Sequence, residues 1–214
     1  PAGTRALQKT MPAGTRGLDV GCGLGATVAR LRSRYGVRAW GVDASAEQLE
    51  AAGNRRGLVR AEGDRLPFPD GCFHAVFCEC VLSLLPDEAA ALAEFARVLA
   101  PGGHLALADL CVDGRRDGRK GGRKGGRREG CAGGCADRAR PLGGTVAGLE
   151  RLGISVLWCE DHSRHLRDLA ARLVLTAADE GDDGEDDGPA CGPHAGQGLG
   201  YYLLLARKRE VRRG

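Results

Sequence analysis

Leu18-Asp19-Val20-Gly21-Cys22-Gly23-Leu24-Gly25-Ala26, followed at a distance by Trp40-Gly41-Val42-Asp43, decides the fold of this chain. The run reads as a short buried strand, a glycine turn, a helix start, a second strand and then a carboxylate. Glycines let the main chain approach a ligand without Cβ interference, and a helix start offers free N–H groups. A carboxylate at the tip of the second strand can accept both hydroxyl protons of a ribose. The pattern is that of a nucleoside-cofactor site.

Two cofactors compete for it. Gly21, Gly23 and Ala26 satisfy the G-x-G-x-x-G/A dinucleotide fingerprint, with Asp43 at about the right distance. The discriminating residue is Asp19, an acid at the end of a strand that should be fully buried. A buried carboxylate is costly unless it meets a cation or donors. It would repel a pyrophosphate and attract the ammonium of a methionine moiety. Asp19-x-Gly21-x-Gly23-x-Gly25 therefore favours S-adenosyl-L-methionine over NAD.

Outward from this run, β-rich and helical segments alternate, as in a doubly wound sheet. Strands are expected at 17–20, 38–42, 57–61, 74–79, 103–109, 154–159 and 200–207. Helices are expected at 25–34, 45–54, 87–99, 143–152 and 163–177. In the last of these Ser163 can cap a stripe of Leu166, Leu169, Leu173 and Val174. At 214 residues the chain is one domain by size, 1–214.

Five pieces then fall in order: LDVGCGLG (18–25), GVDAS (41–45), AEGDRLPFPDGCFHAVF (61–77), VLSLLPD (81–87) and RVLAPGGHLALADL (97–110). On these the chain closely resembles the class I S-adenosylmethionine-dependent methyltransferases, in particular the ubiquinone-biosynthesis-like type 11 group. The resemblance runs from about Gly17 to Leu110. It implies an α/β, Rossmann-like, seven-stranded, mostly parallel sheet with helices on both faces and a C-terminal antiparallel hairpin. It also implies a cofactor shell. Gly21, Gly23 and Gly25 line the methionine and ribose side, with Cys22 filling the turn and Asp19 near the ammonium. Asp43 holds the ribose hydroxyls and Ala44 packs near the adenine. Asp64, followed by Arg65-Leu66-Pro67, matches the acid that accepts from the adenine amino group. Gly63, Arg65 and Cys78 complete the cofactor-binding set.

Methyl transfer from a sulfonium is an in-line displacement, so the protein mainly aligns a nucleophile and excludes water. Donor and acceptor usually meet at the end of the fourth strand, which here reads Cys78-Glu79-Cys80, a departure from the Asn, Ser or aromatic residues common in relatives. In an extended strand Cys78 and Cys80 share a side and Glu79 faces the other way. Glu79 is a candidate to orient the acceptor or the methionine end, with a helix N-cap role as its alternative. Glu160, Asp161 and His162 precede the last predicted helix, and His162 is a candidate general base, an ordinary capping cluster being the alternative.

Several features limit partners. The net charge of +3 implies none by itself. No stretch approaches 18 apolar residues, so no membrane span is expected. The start, PAGTRALQKT, has no apolar h-region of a signal peptide, so the nine cysteines are expected as reduced thiols in a cytoplasm. It also lacks Met and reaches the first strand early, as an abbreviated or trimmed front end would. Residues 113–130 are a basic low-complexity run, with eight Arg or Lys among the fourteen residues from Arg115 to Arg128, and 179–188 are its acidic mirror. Both are expected as mobile loops. The basic run lacks aromatics to stack bases, which argues against nucleic acid.

Cys131-Ala132-Gly133-Gly134-Cys135, with Cys78, Cys80, Cys111, His162 and His165, offers a thiol cluster for a soft ion or metalloid, although zinc spacing is not met and no metal site is expected. The leading expectation is an enzyme that methylates a small-molecule acceptor. Alternatives are a thiol-guided arsenite or metalloid methyltransferase, a non-catalytic S-adenosylmethionine-binding module whose basic loop binds RNA or a partner, and a metal-handling or redox protein. Homodimerisation is left open.

Overall fold

The structure is a computed structural model, and it describes residues 12–53, 56–112, 138–166, 168 and 199–210. They build one sheet with the order β3-β2-β1-β4-β5-β8-β7, and a short β6 pairs with β5 off this path. The strands are β1 (Arg16–Val20), β2 (Arg38–Asp43), β3 (Leu58–Arg60), β4 (Phe73–Glu79), β5 (Leu99–Val112), β6 (Arg140–Pro141), β7 (Ile154–Asp161) and β8 (Leu199–Lys208). β1 pairs in parallel with β2 and β4, β2 with β3, and β4 with β5. β8 runs antiparallel to both β5 and β7, which gives the expected C-terminal hairpin.

Helices α1 (Ala26–Tyr35), α2 (Ala46–Ala51), α3 (Glu88–Val98) and α4 (Leu142–Arg151) connect the strands. Their ends have local causes. Ser45 caps α2 by accepting from the Gln48 amide at 3.1 Å, and Asp87 caps α3 by accepting from Ala90 at 3.0 Å. Gly36 ends α1 in the left-handed region that favours glycine. Lys208 on β8 donates to the carbonyls of Ala96 and Leu99, both at 2.7 Å, and so closes the C-terminal end of α3.

The central strands are buried on both faces, because helices cover both sides of a parallel sheet. Alternate residues of each strand feed two cores. Leu18, Val20, Val76, Cys78, Leu105 and Leu107 join Leu92, Phe95 and Leu149 in one. Ala75, Phe77 and Ala106 join Val28 and Leu31 of α1 in the other. Leu18, Val42, Val76, Phe77 and Phe95 are fully buried.

Three expectations change. The sheet has eight strands rather than seven, because Arg140 and Pro141 pair with Cys111 and Val112. β5 begins at Leu99 rather than 103, since Phe73 pairs with Leu99 before a register shift. α2 stops at Ala51 where residues 45–54 were expected, ahead of Gly53 at φ 69°. Of the helix expected at 163–177, residues 163–166 and 168 are helical and the remainder lies outside the described residues. The basic run, the acidic run, Cys131 and Cys135 lie outside them too.

Candidate functional site

The glycine turn is built to be tight. Gly21 lies at φ 74°, and a Cβ there would sit 2.2 Å from Val81 Cγ2, so no side chain fits. Gly21 and Cys22 donate their amides to the Val42 carbonyl at 2.8 and 2.9 Å, Gly25 to Cys22 at 2.8 Å, and Gly23 to Asp43 Oδ2 at 2.7 Å. The turn's amides are thus largely committed inside the protein, which suits a ligand without a pyrophosphate. Gly23 is different. A Cβ at its position would meet only Gln48 Oε1, at an ordinary contact distance of 3.7 Å, so its φ of 48° rather than crowding favours glycine there.

Asp43, at the tip of β2, also accepts from the Ser45 amide at 2.9 Å. Its two oxygens tie the glycine turn to the start of α2, and each keeps a further lone pair for a hydroxyl. Ala44 beside it is exposed. Cys22 packs its thiol toward Gly41, where a Cβ would be 2.7 Å from Sγ, and burial pushes that thiol up to about 12.

Asp19 is the unusual group. It is 4 % exposed, and among the described residues no donor reaches its carboxylate. Burial first, then the Glu79 and Asp43 charges, push its pKa from 3.8 up to about 7. Three acids therefore converge at the carboxyl ends of β1, β2 and β4, and among the described residues the innermost has no counter-charge. A cation of the right size would supply it.

The loop after β3 closes one side. Gly63 is buried so close to β1 that a Cβ would stand 3.2 Å from Val20 and 2.9 Å from Leu85. Asp64 next to it is half-buried, and Arg65 is exposed with its amide on the Glu62 carbonyl at 3.1 Å. Arg97 of α3 holds this loop. It donates to Glu94 at 2.6 Å, Asp70 at 2.8 Å, and the Phe68 and Leu66 carbonyls at 2.7 and 3.0 Å, while Leu66 donates to Glu94 at 2.7 Å. The Arg97 hydrogen bond is the main reason that Glu94 is held below the usual carboxylate range.

At the end of β4 the strand does not continue through Cys80. Cys80 takes φ 58°, a left-handed conformation that no other non-glycine residue adopts among the described residues. Cys78 and Cys80 consequently part company, because the extended strand that would put them on one side ends at Glu79. Cys78 is 1 % exposed inside the core, where it lends the site no surface, and Cys80 is exposed. The Cys80 thiol lies 3.2 Å from the Tyr201 hydroxyl on β8.

His162 follows β7. Its Nε2 is 2.8 Å from Glu160 Oε2, its ring is 5.1 Å from that of His165, and its amide donates to the Tyr201 carbonyl at 2.7 Å. β7 is three strand spacings from β4, roughly 14 Å. The turn into the last helix is capped by Asp161, which accepts from the Ser163 amide at 2.7 Å and from the Ser163 hydroxyl. Ser163 is thus a donor here, rather than the cap itself.

A methyltransferase-domain family model matches residues 18–107. An O-methyltransferase from Pyrenophora dematioidea is 30 % identical over 203 residues, covering 89 % of this chain and 74 % of its own length. The chain belongs to the class I S-adenosylmethionine-dependent methyltransferases. Methyltransferase GfsG from Streptomyces halstedii is 40 % identical over 114 residues, 48 % of this chain and 40 % of its own. The chain thus spans less than half the length of some curated relatives that it matches. Among solved structures, geranyl diphosphate methyltransferase in complex with SAM shares the fold at TM-score 0.72 and 18 % identity, over 97 % of this chain and 84 % of that one. S-adenosylmethionine is the cofactor of this family.

Of the residues read from the sequence, the structure gathers Asp19, Gly21, Gly23, Gly25, Asp43, Gly63, Asp64 and Glu79 around the carboxyl ends of β1, β2 and β4. His162 stands apart with Glu160. Among the described residues no group of three or more His, Cys, Asp or Glu is set to hold a metal ion, and no helix is long and apolar enough to cross a membrane. Sequence reasoning missed Tyr201, which looked like one more apolar strand residue. It also missed Asp109, whose buried carboxylate accepts from the Ser83 amide and hydroxyl, both at 2.8 Å, and from Leu110 at 2.7 Å. That acid sets the turn at Leu82–Leu84 behind Val81.

Proposed function

We propose that this chain is a single methyltransferase domain that transfers the methyl group of S-adenosylmethionine to an oxygen of a small-molecule acceptor. One observation carries the reading: Asp19 is buried, has no donor among the described residues, and is flanked by two more acids. An isolated carboxylate in such a position is unstable unless a cation joins it. The ammonium of the methionine moiety fits there. Gly21, Gly23 and Gly25 shape the main chain along that ligand, Asp43 accepts from its ribose hydroxyls, and Asp64 accepts from the adenine amino group, beside Ala44, Gly63 and Arg65.

The cofactor supplies an electrophilic methyl carbon on a sulfonium. The protein's own task is to hold the acceptor oxygen in line with that carbon, exclude water and remove the hydroxyl proton. Glu79, next to Asp19 at the end of β4, is the group that takes the proton. His162, paired with Glu160 at 2.8 Å and three strand spacings from β4, is the alternative base. The oxygen nucleophile is favoured because O-methyltransferases occur among the relatives, including the one matched over most of both chains. Six described free cysteines suit a reducing compartment, and the cytoplasm is the location we propose.

Calorimetric titration with S-adenosylmethionine, and separately with NAD, tests the reading. Binding of the former at roughly micromolar Kd, with none of the latter, is the expected result. NAD binding, or unchanged S-adenosylmethionine affinity in Asp43→Ala, would remove its basis.

A further inference from the structure

The proposed function leaves open what receives the acceptor, and the sheet's carboxyl edge narrows it. Alternate residues of a strand share a face. Asp19, Phe77 and Glu79 lie on one face of β1 and β4. On β8, Tyr202 joins the opposite core, so Tyr201 belongs to the face of Glu79. The Tyr201 main chain is fixed on every side. It pairs with Leu110 of β5, donates its amide to Ser163 Oγ at 3.1 Å, and accepts from the His162 amide at 2.7 Å. Gly200 before it is hemmed in as well, since a Cβ there would be 2.8 Å from Ser163 Oγ and 3.0 Å from Cys111 Sγ.

From this anchored position the ring spans β5 and brings its hydroxyl to the end of β4, 3.2 Å from Cys80 Sγ. Cys80 is itself held in the left-handed region, with its amide on the Ala108 carbonyl at 2.7 Å. Backbone strain of this kind persists only where surrounding structure over-determines it, and it clusters at functional sites. A thiol is a weak hydrogen-bond partner, so the phenol gives up little when a better acceptor arrives. The imidazole of His162, by contrast, starts from an edge strand three spacings from β4.

We propose that Tyr201 orients a phenolic acceptor, donating its hydroxyl proton to the acceptor oxygen beside Glu79. This rests on the function proposed above. Burial and the neighbouring Cys80, Glu79 and Asp109 hold Tyr201 protonated far above neutral pH, which keeps it a donor. The acceptor class follows from the base. A carboxylate is poorly matched to an aliphatic alcohol, whereas a phenol, with pKa about 10, is within its reach as the proton leaves in the transition state. In the transfer the sulfonium C–S bond breaks, the C–O bond forms, and the phenol proton passes to Glu79 and then to water. Val81, half-buried beside Gly21, and the Tyr201 ring supply apolar surface for the aromatic ring.

The test uses the whole chain saturated with S-adenosylhomocysteine, with phenol and its methyl isostere toluene as probes in ligand-observed NMR. Wild type should bind phenol about tenfold more tightly than toluene, a discrimination of the size one hydrogen bond supplies. Tyr201→Phe should lose most of that preference, keeping only what Glu79 supplies, with toluene and S-adenosylhomocysteine affinities unchanged. Cys80→Ser, which leaves a partner for the phenol, should retain it. Equal phenol affinity in wild type and Tyr201→Phe, or no phenol binding while S-adenosylhomocysteine binds, overturns the inference alone. If S-adenosylhomocysteine itself fails to bind, the underlying function falls, and this inference with it.

Discussion

Replacing Asp19 with Asn should make the protein more stable and less able to bind its cofactor, with both effects set by pH. In the folded protein the Asp19 carboxyl titrates near 7, against 3.8 when exposed to water. A raised carboxyl favours the folded state while protonated. Its contribution is therefore fully present below pH 3.8 and is lost as pH rises toward 7. Above that the penalty for ionising a buried acid levels off. Integrating the two titrations puts the penalty just under ~2 kcal/mol at pH 5 and just over ~4 kcal/mol at pH 8. Asn has the same shape and never ionises, so the variant should exceed wild type by a margin about 3 kcal/mol larger at pH 8 than at pH 5. Urea unfolding at the two pH values measures that difference. Binding should move the other way. If the ammonium needs the ionised carboxylate, wild-type affinity for S-adenosylmethionine should fall about tenfold from pH 8 to pH 6, as the ionised fraction drops from about ten elevenths to one eleventh. The variant's affinity should be weaker and flat with pH. A stability margin that is equal at both pH values, or a flat wild-type binding profile, would refute the reasoning about this acid.

Three further substitutions test the supports of the site. Gly21→Ala should cost roughly 1–3 kcal/mol in chemical denaturation, because it places a Cβ on Val81 at a positive φ, and Val81→Ala should recover the steric part only. Arg97→Met removes the anchor of residues 66–70 and should cost roughly 1–3 kcal/mol. In wild type the benefit from the depressed Glu94 carboxyl is present above the ordinary glutamate pKa and is lost as pH falls below it, so the difference between Arg97→Met and wild type should shrink in acid; a constant difference down to pH 3 would exclude that ion pair as the cause. Ser83→Ala strips one hydroxyl from buried Asp109 and should cost roughly 1–3 kcal/mol, whereas Ser83→Thr should cost less; equal losses in thermal unfolding would argue for packing rather than the hydrogen bond.

The site was partly legible from the residues. Asp19, Gly21 and Asp43 carry their meaning locally: an acid ending an apolar run, a glycine where the chain must turn, and a carboxylate one strand later. Tyr201 was not, because its role depends on β8 being inserted between β5 and β7 and bringing a residue 121 positions away onto Cys80. Strand periodicity puts Cys78 and Cys80 on one side only while the strand stays extended, and the positive φ of Cys80 ends that condition. A single dihedral is set by what the strand end meets, which periodicity does not contain.

The chain's order of strands and helices, the parallel core and the glycine turn were determined by the sequence itself, since hydrophobic period, capping residues and glycine conformation act over a few positions. What the tertiary structure alone decided is which polar groups share the carboxyl edge. The pairing of β8 with β5 carries Tyr201 to the end of β4, burial turns Asp19 into a carboxyl that titrates near neutrality, and Arg97 ties the Asp64 loop to α3. These depend on desolvation and on contacts between distant segments, and both exist only once the sheet has closed over them.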